Sequence, residues 1–405
     1  MVSDQSQFEI VVIGGGVAGA SLATVLARTG RRVAVIEREP VFRDRVRGEG
    51  LHPWGFREAV AIRLDPVIRA VGANPLPVWQ GYTDRIPDEP SRWDDDPENE
   101  YHEFGVSHPA LQEATLAAAA RAGARIYRPM SARRIEPLGT GWDITLEGPE
   151  GVRQRVGADL LIGADGRDSA VRRWLEIPVQ TDPVHHRFGG MLIEGFGLDN
   201  GAIHSIGLDG GTAYVMPQCQ GHARIYAGGQ PALLAPIIKD RSGASLIELL
   251  AANLPDGAML HAKPAGPMAF FPNSDIVPAR IAGDSWALIG DAAGSNDPSV
   301  GQGLSLTYRD VRRLSELLTG PESLDSALAT YAAERSTYHA TAREHARWIA
   351  SFTMETGEAA EARREGYRRS GSIDPTRGGF TFMYTRGPMG LVADEAARRR
   401  FFDER

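Results

Sequence analysis

The sequence is short of cysteine, of positive charge and of long apolar runs. Cys219 is the one cysteine in 405 residues, which excludes an intramolecular disulfide and any cysteine-based metal site and points to a reducing compartment. The formal charge is -8; phosphate-backbone binding needs a basic surface, so nucleic acid is excluded as the main partner. No apolar stretch approaches the roughly 18 residues that span a bilayer. Met1–Gln7 is polar and the apolar run after it stops at glycines, so neither a secretory leader nor a membrane partner is expected, and the expected location is cytoplasmic. There is no repeat of fixed period, no low-complexity tract and no expected metal site.

What is there is ordinary globular material, 42% apolar and 24% charged, in a chain long enough for two or three domains. Glu9–Ile13 reads as a buried strand, Ala18–Arg28 as a helix stopped by Gly30, and Val33–Ile36 as a second strand ending at Glu37. Together they make a βαβ unit. Phe42–Gly55 reads as a loop and Phe56–Ala70 as a helix. Asp84–Asn99, dominated by Asp, Glu and Pro, reads as an exposed excursion with little tendency to pack. Pro109–Ala122 is an Ala-rich helix with Gly123 beyond its end. Arg133–Leu146 suggests antiparallel strands, Ala158–Ile162 a buried strand, Phe188–Tyr226 a second sheet and Ser245–Asn253 a helix. Ser285–Ile289 is again a strand. Ser305–Leu318 and Leu324–Arg335 read as helices, and the tail from Glu358 is charged with helical patches.

The loop Gly14-Gly15-Gly16-Val17-Ala18-Gly19 carries a G-x-G-x-x-G spacing with a mechanical reason. Gly14 permits the tight turn after the strand, Gly16 lets a pyrophosphate touch the backbone, and Gly19 lets the helix pack close to the strand. The open amides of the helix start then face phosphate. Glu37, about twenty residues on, suits a pair of ribose hydroxyls. The loop alone does not separate FAD from NAD.

Two later segments do. Gly163-Ala164-Asp165-Gly166-Arg167-Asp168 resembles the DG motif, and Gly290-Asp291-Ala292-Ala293 followed by Asp297-Pro298-Ser299-Val300-Gly301-Gln302-Gly303-Leu304 resembles the GD motif, of the single-component flavin monooxygenases, the p-hydroxybenzoate hydroxylase family. All three motifs stand in the family's order and span most of the chain. The resemblance implies an α/β fold: a Rossmann-like (GR2-type) FAD-binding domain, an inserted and mostly antiparallel β-sheet substrate domain, and a C-terminal helical segment. The expected division gives residues 1–75, 106–180 and 276–345 to the FAD-binding domain. It gives 76–105 to an excursion of the substrate domain, 181–275 to the substrate-binding sheet and 346–405 to the C-terminal segment.

The resemblance also implies roles. Asp291 accepts from a ribityl hydroxyl, and the Gly301-Gln302-Gly303 turn and Leu304 bring backbone amides and a helix dipole to the flavin ring. Pro298 lies over the oxygen-reacting face. Asp165 and, with it, Arg172 serve the pyrophosphate region and pyridine nucleotide; Asp165 also reads as a helix N-cap. Arg47 sits near the flavin or its phosphates. His108 stands where many relatives have Arg or Gln on the ribityl-phosphate chain, and reads equally as a cap of its helix. Gly294 stands where many relatives have His. Val17, Ala18, Arg38 and Met130 complete the expected cofactor contacts. The implied reaction is insertion of one oxygen atom from O2 into an electron-rich small molecule, with NAD(P)H as reductant, through a flavin C4a-hydroperoxide. No residue identifies itself as a general base; His52 and Glu49 are candidates beside Pro298 and Arg47. Candidate pocket residues are Trp79, Tyr82, Met191, His204, Tyr214, Met216 and Phe271. A flavin halogenase would carry a Trp-x-Trp-x-Ile-Pro segment, which is absent; a flavin reductase and a non-catalytic redox sensor are the other readings. The protein is expected to be a monomer or homodimer.

Overall fold

The computed structural model describes residues 6–46, 48–373 and 380–404. Its first sheet is built on five parallel strands in the order Trp286–Leu288, Arg153–Gly163, Ser6–Ile13, Val33–Ile36, Arg125–Tyr127. These strands are short apolar runs because both faces are covered, as parallel strands require. An antiparallel arm, Ser131–Leu138 with Gly141–Glu147, extends the N-terminal half of the Arg153–Gly163 strand. The helices Val17–Arg28, His108–Arg121 and Gly303–Thr319 pack on the sheet around Leu22, Leu26, Leu111, Leu116, Val311 and Leu314.

The strand order explains how distant segments meet. The turns at Gly14, Glu37, Ala164 and Gly290 follow the C-terminal ends of four neighbouring parallel strands. In open α/β sheets that edge is where ligands bind.

The second sheet joins Arg187–Glu194, His222–Gly229, Gly211–Pro217 and Ala202–Leu208 antiparallel, with Val78–Thr83 added parallel at the side of Ala202–Leu208. Side chains alternate between its faces. Met191, Ile193, Val215, Ala223, Ile225 and Ala227 pack on one face against Leu234, Ile237, Leu246 and Leu250 of the helices Pro231–Lys239 and Ala244–Asn253. The other face looks back toward the first sheet.

Several expected boundaries move. The helix expected over Phe56–Ala70 is two, Pro53–Ala61 and Asp65–Ala70, broken where Arg63 takes φ +56°; Pro53 opens the first with its fixed φ. The helix expected to end at Arg335 runs over Leu324–Thr353. Ser336, Thr337 and Thr341 are weak helix formers, but their hydroxyls bond back to Ala332, Ala333 and Thr337 carbonyls, and burial of Tyr338, Ala342, Ala346 and Ile349 carries the helix on. The excursion at Asp84–Asn99 is exposed except at the half-buried Asp96 and Asn99 and at Trp93, which is buried and donates its Nε1–H to the Leu76 carbonyl at 2.8 Å. Among the described residues, no helix is long and apolar enough to cross a membrane.

Candidate active site

The three motifs line one side of a cavity of about 550 Å³, within the size range of small-molecule sites. The glycines divide the work. Gly14 has φ +107°, and a Cβ there would lie 2.3 Å from the Ala164 carbonyl oxygen. A Cβ on Gly19 would lie 2.0 Å from the Gly14 carbonyl oxygen. Both are therefore required for the turn and the helix packing, and neither lines the cavity. Gly16 does line it, and its nearest neighbour is Gln112 Nε2 at 3.5 Å from a built Cβ. Space is left there for an approaching ligand backbone or phosphate, beside Val17 and Ala18 at the start of their helix.

Glu37 is buried behind this loop. Its Oε2 accepts the Gly15 N–H and its Oε1 the Glu39 N–H, each at 2.7 Å. Arg38 points outward, 3.5 Å from Glu39. Met130 packs against the buried cluster that includes Tyr127 and Ile135, and against Gly148, and does not line the cavity. Arg47 lies outside the described residues.

Asp165 is turned away from the cavity as well. It accepts from Ser169 Oγ at 2.5 Å and from the Ala170 and Val171 amides at 2.6 and 3.1 Å. Ser169 takes the N-cap position of the helix Ala170–Trp174, its Oγ accepting the Arg172 N–H, and Asp165 caps the first two amides of the same helix from outside it. The Arg172 guanidinium donates to the Asp291 and Ala292 carbonyls at 3.2 and 2.7 Å and to the Arg167 carbonyl. Burial lowers its pKa. It ties the DG and GD segments together rather than facing the cavity.

Asp291 lines the cavity, and its carboxylate accepts no hydrogen bond from the described residues. Its backbone is held by a buried network. Asp310 Oδ2 accepts the Gly290 N–H at 2.8 Å and Oδ1 accepts from Tyr338; Arg335 donates to the Gly290 and Gly294 carbonyls at 3.4 and 3.0 Å. Burial raises the Asp310 pKa against the pull of Arg335. Gly294 has φ +126°, and a Cβ would meet His339 Cε1 at 2.8 Å and the Ile276 carbonyl oxygen at 2.9 Å. No side chain fits, which explains the departure from His noted in the sequence.

Pro298, Gly301, Gly303 and Leu304 line the cavity. Gly301 is left-handed at φ +65°, with a built Cβ only 2.9 Å from His52 Nε2. Gln302 is buried behind the turn, accepting from Trp54 Nε1 at 2.9 Å and donating to the Val300 carbonyl at 3.1 Å. His108, first residue of its helix, donates from Nδ1 to the Gly48 carbonyl at 2.9 Å and lines the cavity; Ser107 holds the cap position. Gln112, one turn on, lines it too and was not singled out in the sequence.

The opposite wall comes from the second sheet. Its period of two decides which aromatic residues take part. Trp79, Tyr214, Met216 and Phe271 face the cavity as expected. Tyr82 and Met191 pack in the core on the other face. His204 shares that face, with Nδ1 2.9 Å from the Tyr82 hydroxyl and Nε2 2.9 Å from the Asp199 carbonyl; burial lowers its pKa. Phe188, Ile203 and Tyr226 were missed, although each follows from strand register: Phe188 pairs Phe271, Ile203 pairs Trp79, and Tyr226 pairs Tyr214. Tyr384, from the helix Phe380–Thr385, stacks on Trp79 with centroids 5.7 Å apart and lies 4.1 Å from the His52 ring.

The two candidate bases are engaged in the protein. Glu49 does not line the cavity: Oε2 accepts from the Tyr226 hydroxyl and Oε1 lies 3.1 Å from Arg224 Nη2. Burial raises the Tyr226 pKa well above the usual phenol value. Burial pulls the Arg224 pKa down, but Glu49, Tyr226 and Asp44 more than offset it. His52 lies in the cavity wall with Nδ1 2.9 Å from Glu103 Oε2 and Nε2 3.1 Å from the Val300 carbonyl. Neither ring nitrogen is open to a substrate proton.

A parallel sheet with glycine turns at four adjacent strand ends, an open backbone at Gly16 and an unclaimed carboxylate at Asp291 defines a dinucleotide-type binding fold whose donor set fits FAD. The family described as an FAD binding domain matches residues 7–346, and the chain belongs to it. Squalene epoxidase 2 of Arabidopsis thaliana is 25% identical over 335 residues, covering 80% of this chain and 56% of the relative; the chain thus spans little more than half of that protein's length. Kynurenine 3-monooxygenase of Xanthomonas euvesicatoria is 25% identical over 367 residues, covering 82% of this chain and 77% of the relative. The fold is shared with p-nitrophenol 4-monooxygenase PnpA of Pseudomonas putida, with a TM-score of 0.79 and 19% identity over 94% of this chain and 96% of that one.

Proposed function

We propose that the protein is an FAD-dependent monooxygenase that uses NAD(P)H and O2 to place one oxygen atom in an electron-rich small molecule. The observation carrying this reading is one cavity with two unlike walls. Strand-end turns and Asp291 form one side and the rings of Trp79, Phe188, Tyr214, Phe271 and Tyr384 the other. Relatives named as an epoxidase and as a monooxygenase both support oxygen insertion.

Bound FAD supplies electron transfer from the nicotinamide and activation of dioxygen. The chain's residues supply the rest. The Val17–Ala18 amides and the helix dipole behind them hold pyrophosphate. Asp291 and the Gly301–Leu304 turn hold the ribityl–isalloxazine half, with Pro298 beside it. The aromatic wall excludes water, which the chemistry demands because exposed activated oxygen is lost unproductively. His52 keeps its Nε2–H on the Val300 carbonyl and so fixes the turn that carries Gly301.

The test is NAD(P)H oxidation by the yellow holoenzyme against a panel of phenols, anilines and alkenes, with product mass as readout. A substrate-stimulated rate and a gain of about 16 mass units, one inserted oxygen, are expected. Substrate turnover without oxygen incorporation would turn the assignment to a reductase.

A further inference from the structure

We infer that Glu103 is a specificity-determining residue: its Oε1 accepts a hydrogen bond from the substrate and selects aromatic molecules bearing an O–H or N–H donor. The inference rests on the reading above that the aromatic half of the cavity takes the organic substrate.

Glu103 was not singled out in the sequence. It begins the strand Glu103–Gly105, central in a three-stranded sheet between Gly50–Leu51 and Asn74–Leu76. It lines the cavity yet is 0% exposed. A buried carboxyl group is costly unless each oxygen finds a partner. Oε2 has one, His52 Nδ1 at 2.9 Å.

The Val300 carbonyl can only accept, so His52 Nε2 carries a hydrogen. One further proton then sits between Nδ1 and Oε2. Placed on either atom, it leaves the pair neutral overall. Placed on either atom, it also leaves Glu103 Oε1 an acceptor.

That Oε1 is buried and has no hydrogen-bond partner among the described residues. It and the methyl end of Met216 flank the same glycine: a Cβ built on Gly50 would lie 3.1 Å from Oε1 and 3.0 Å from Met216 Cε. Met216 lines the cavity and has three rotatable bonds, so its tip can turn aside for a ligand. Around this one acceptor the wall offers the rings of Trp79, Tyr214, Phe271 and Tyr384. Flat aromatic surface plus an unsatisfied acceptor within it is complementary to a phenol, naphthol or aromatic amine. It is a poor match to a pure hydrocarbon, which would seal Oε1 off from water without a donor.

Matched pairs test this with oxidised holoenzyme: phenol against anisole, 2-naphthol against 2-methoxynaphthalene, aniline against N,N-dimethylaniline. Binding is read from flavin absorbance shifts and tryptophan quenching, without turnover. The wild type is expected to bind each donor at least about tenfold more tightly than its methylated twin, the scale of one buried hydrogen bond. Glu103→Leu, which removes the acceptor, is expected to shrink that ratio below about threefold with FAD still bound and the methylated twin still binding, whereas Glu103→Gln, whose amide donates to His52 Nδ1 and keeps its carbonyl oxygen at the Oε1 position, is expected to retain the preference. A wild type with no donor preference overturns the inference, as does full preference in Glu103→Leu. If that variant fails to fold, the wild-type ratios decide alone. If FAD stays bound but no member of any pair binds, the substrate-cavity reading fails first and this inference falls with it.

Discussion

The two walls of the cavity are made in different ways. On the FAD-binding side the site is mostly backbone. Gly16, Val17, Gly301 and Gly303 present amides and empty space, and the side chains around them, Glu37, Asp165, Arg172, Gln302 and Asp310, bind other parts of the protein. On the sheet side the site is mostly side chain, and the backbone is consumed by the strand ladder. A backbone site tolerates little change, because its geometry is the recognition. A side-chain site changes its ligand whenever a ring is exchanged, with the ladder underneath untouched.

The largest expected effect comes from breaking the backbone side. Gly14→Val forces a branched residue into φ +107° and a Cβ within 2.3 Å of the Ala164 carbonyl oxygen. Purified protein is expected to be colourless and to take up no FAD on titration; a yellow variant would refute the role given to the turn. Asp291→Ala removes a side chain expected to grip the cofactor directly. A loss of roughly 1.5–3 kcal/mol in FAD binding is expected, the scale of a hydrogen bond to a charged group, read by fluorescence titration; unchanged affinity would count against that contact.

A pH effect comes from outside both walls. Burial, partly opposed by Arg343, raises Asp275 to about 6 from an ordinary 3.8. A carboxyl raised on folding contributes stability that is fully present below pH 3.8 and lost as pH rises through about 6. Asp275→Asn is therefore expected to gain on the wild type above pH 6, by on the order of 1–2 kcal/mol. Melting temperatures at pH 4.5 and 8 check it: a difference independent of pH would remove the group from the account. The smallest effect is Met216→Ala. FAD affinity is expected within about twofold of wild type and stability within about 1–2 kcal/mol, since the site is half-buried, while KM across a substrate panel shifts. A matching loss of FAD would show that the two walls are not separable.

Legibility in the sequence followed the same divide. Gly14, Gly16, Gly19, Asp291 and Pro298 were readable because strand, turn and helix start lie within a few residues of one another. The residues behind them were read less well: Asp165 and Arg172 face each other's segments, which spacing does not disclose. On the sheet side, Trp79, Tyr214, Met216 and Phe271 were found among core neighbours Tyr82, Met191 and His204, because aromatic content does not say which face a residue takes. Only the register does, and that depends on pairing across tens of residues. Glu103 and Tyr384 were invisible for a further reason. Each reaches the site from a segment whose composition reads as surface.

Tyr384 has a practical consequence. It brings a stretch close to the chain's C-terminus onto Trp79 and His52, and that stretch is clasped to the excursion by Arg386 on Asp96 at 2.9 Å. A segment far in sequence from the flavin motifs thus finishes the pocket. Exchanging it as a cassette between homologous proteins would change the pocket at Trp79 and would reach the Gly301 turn as well, through the His52 ring on which Tyr384 packs.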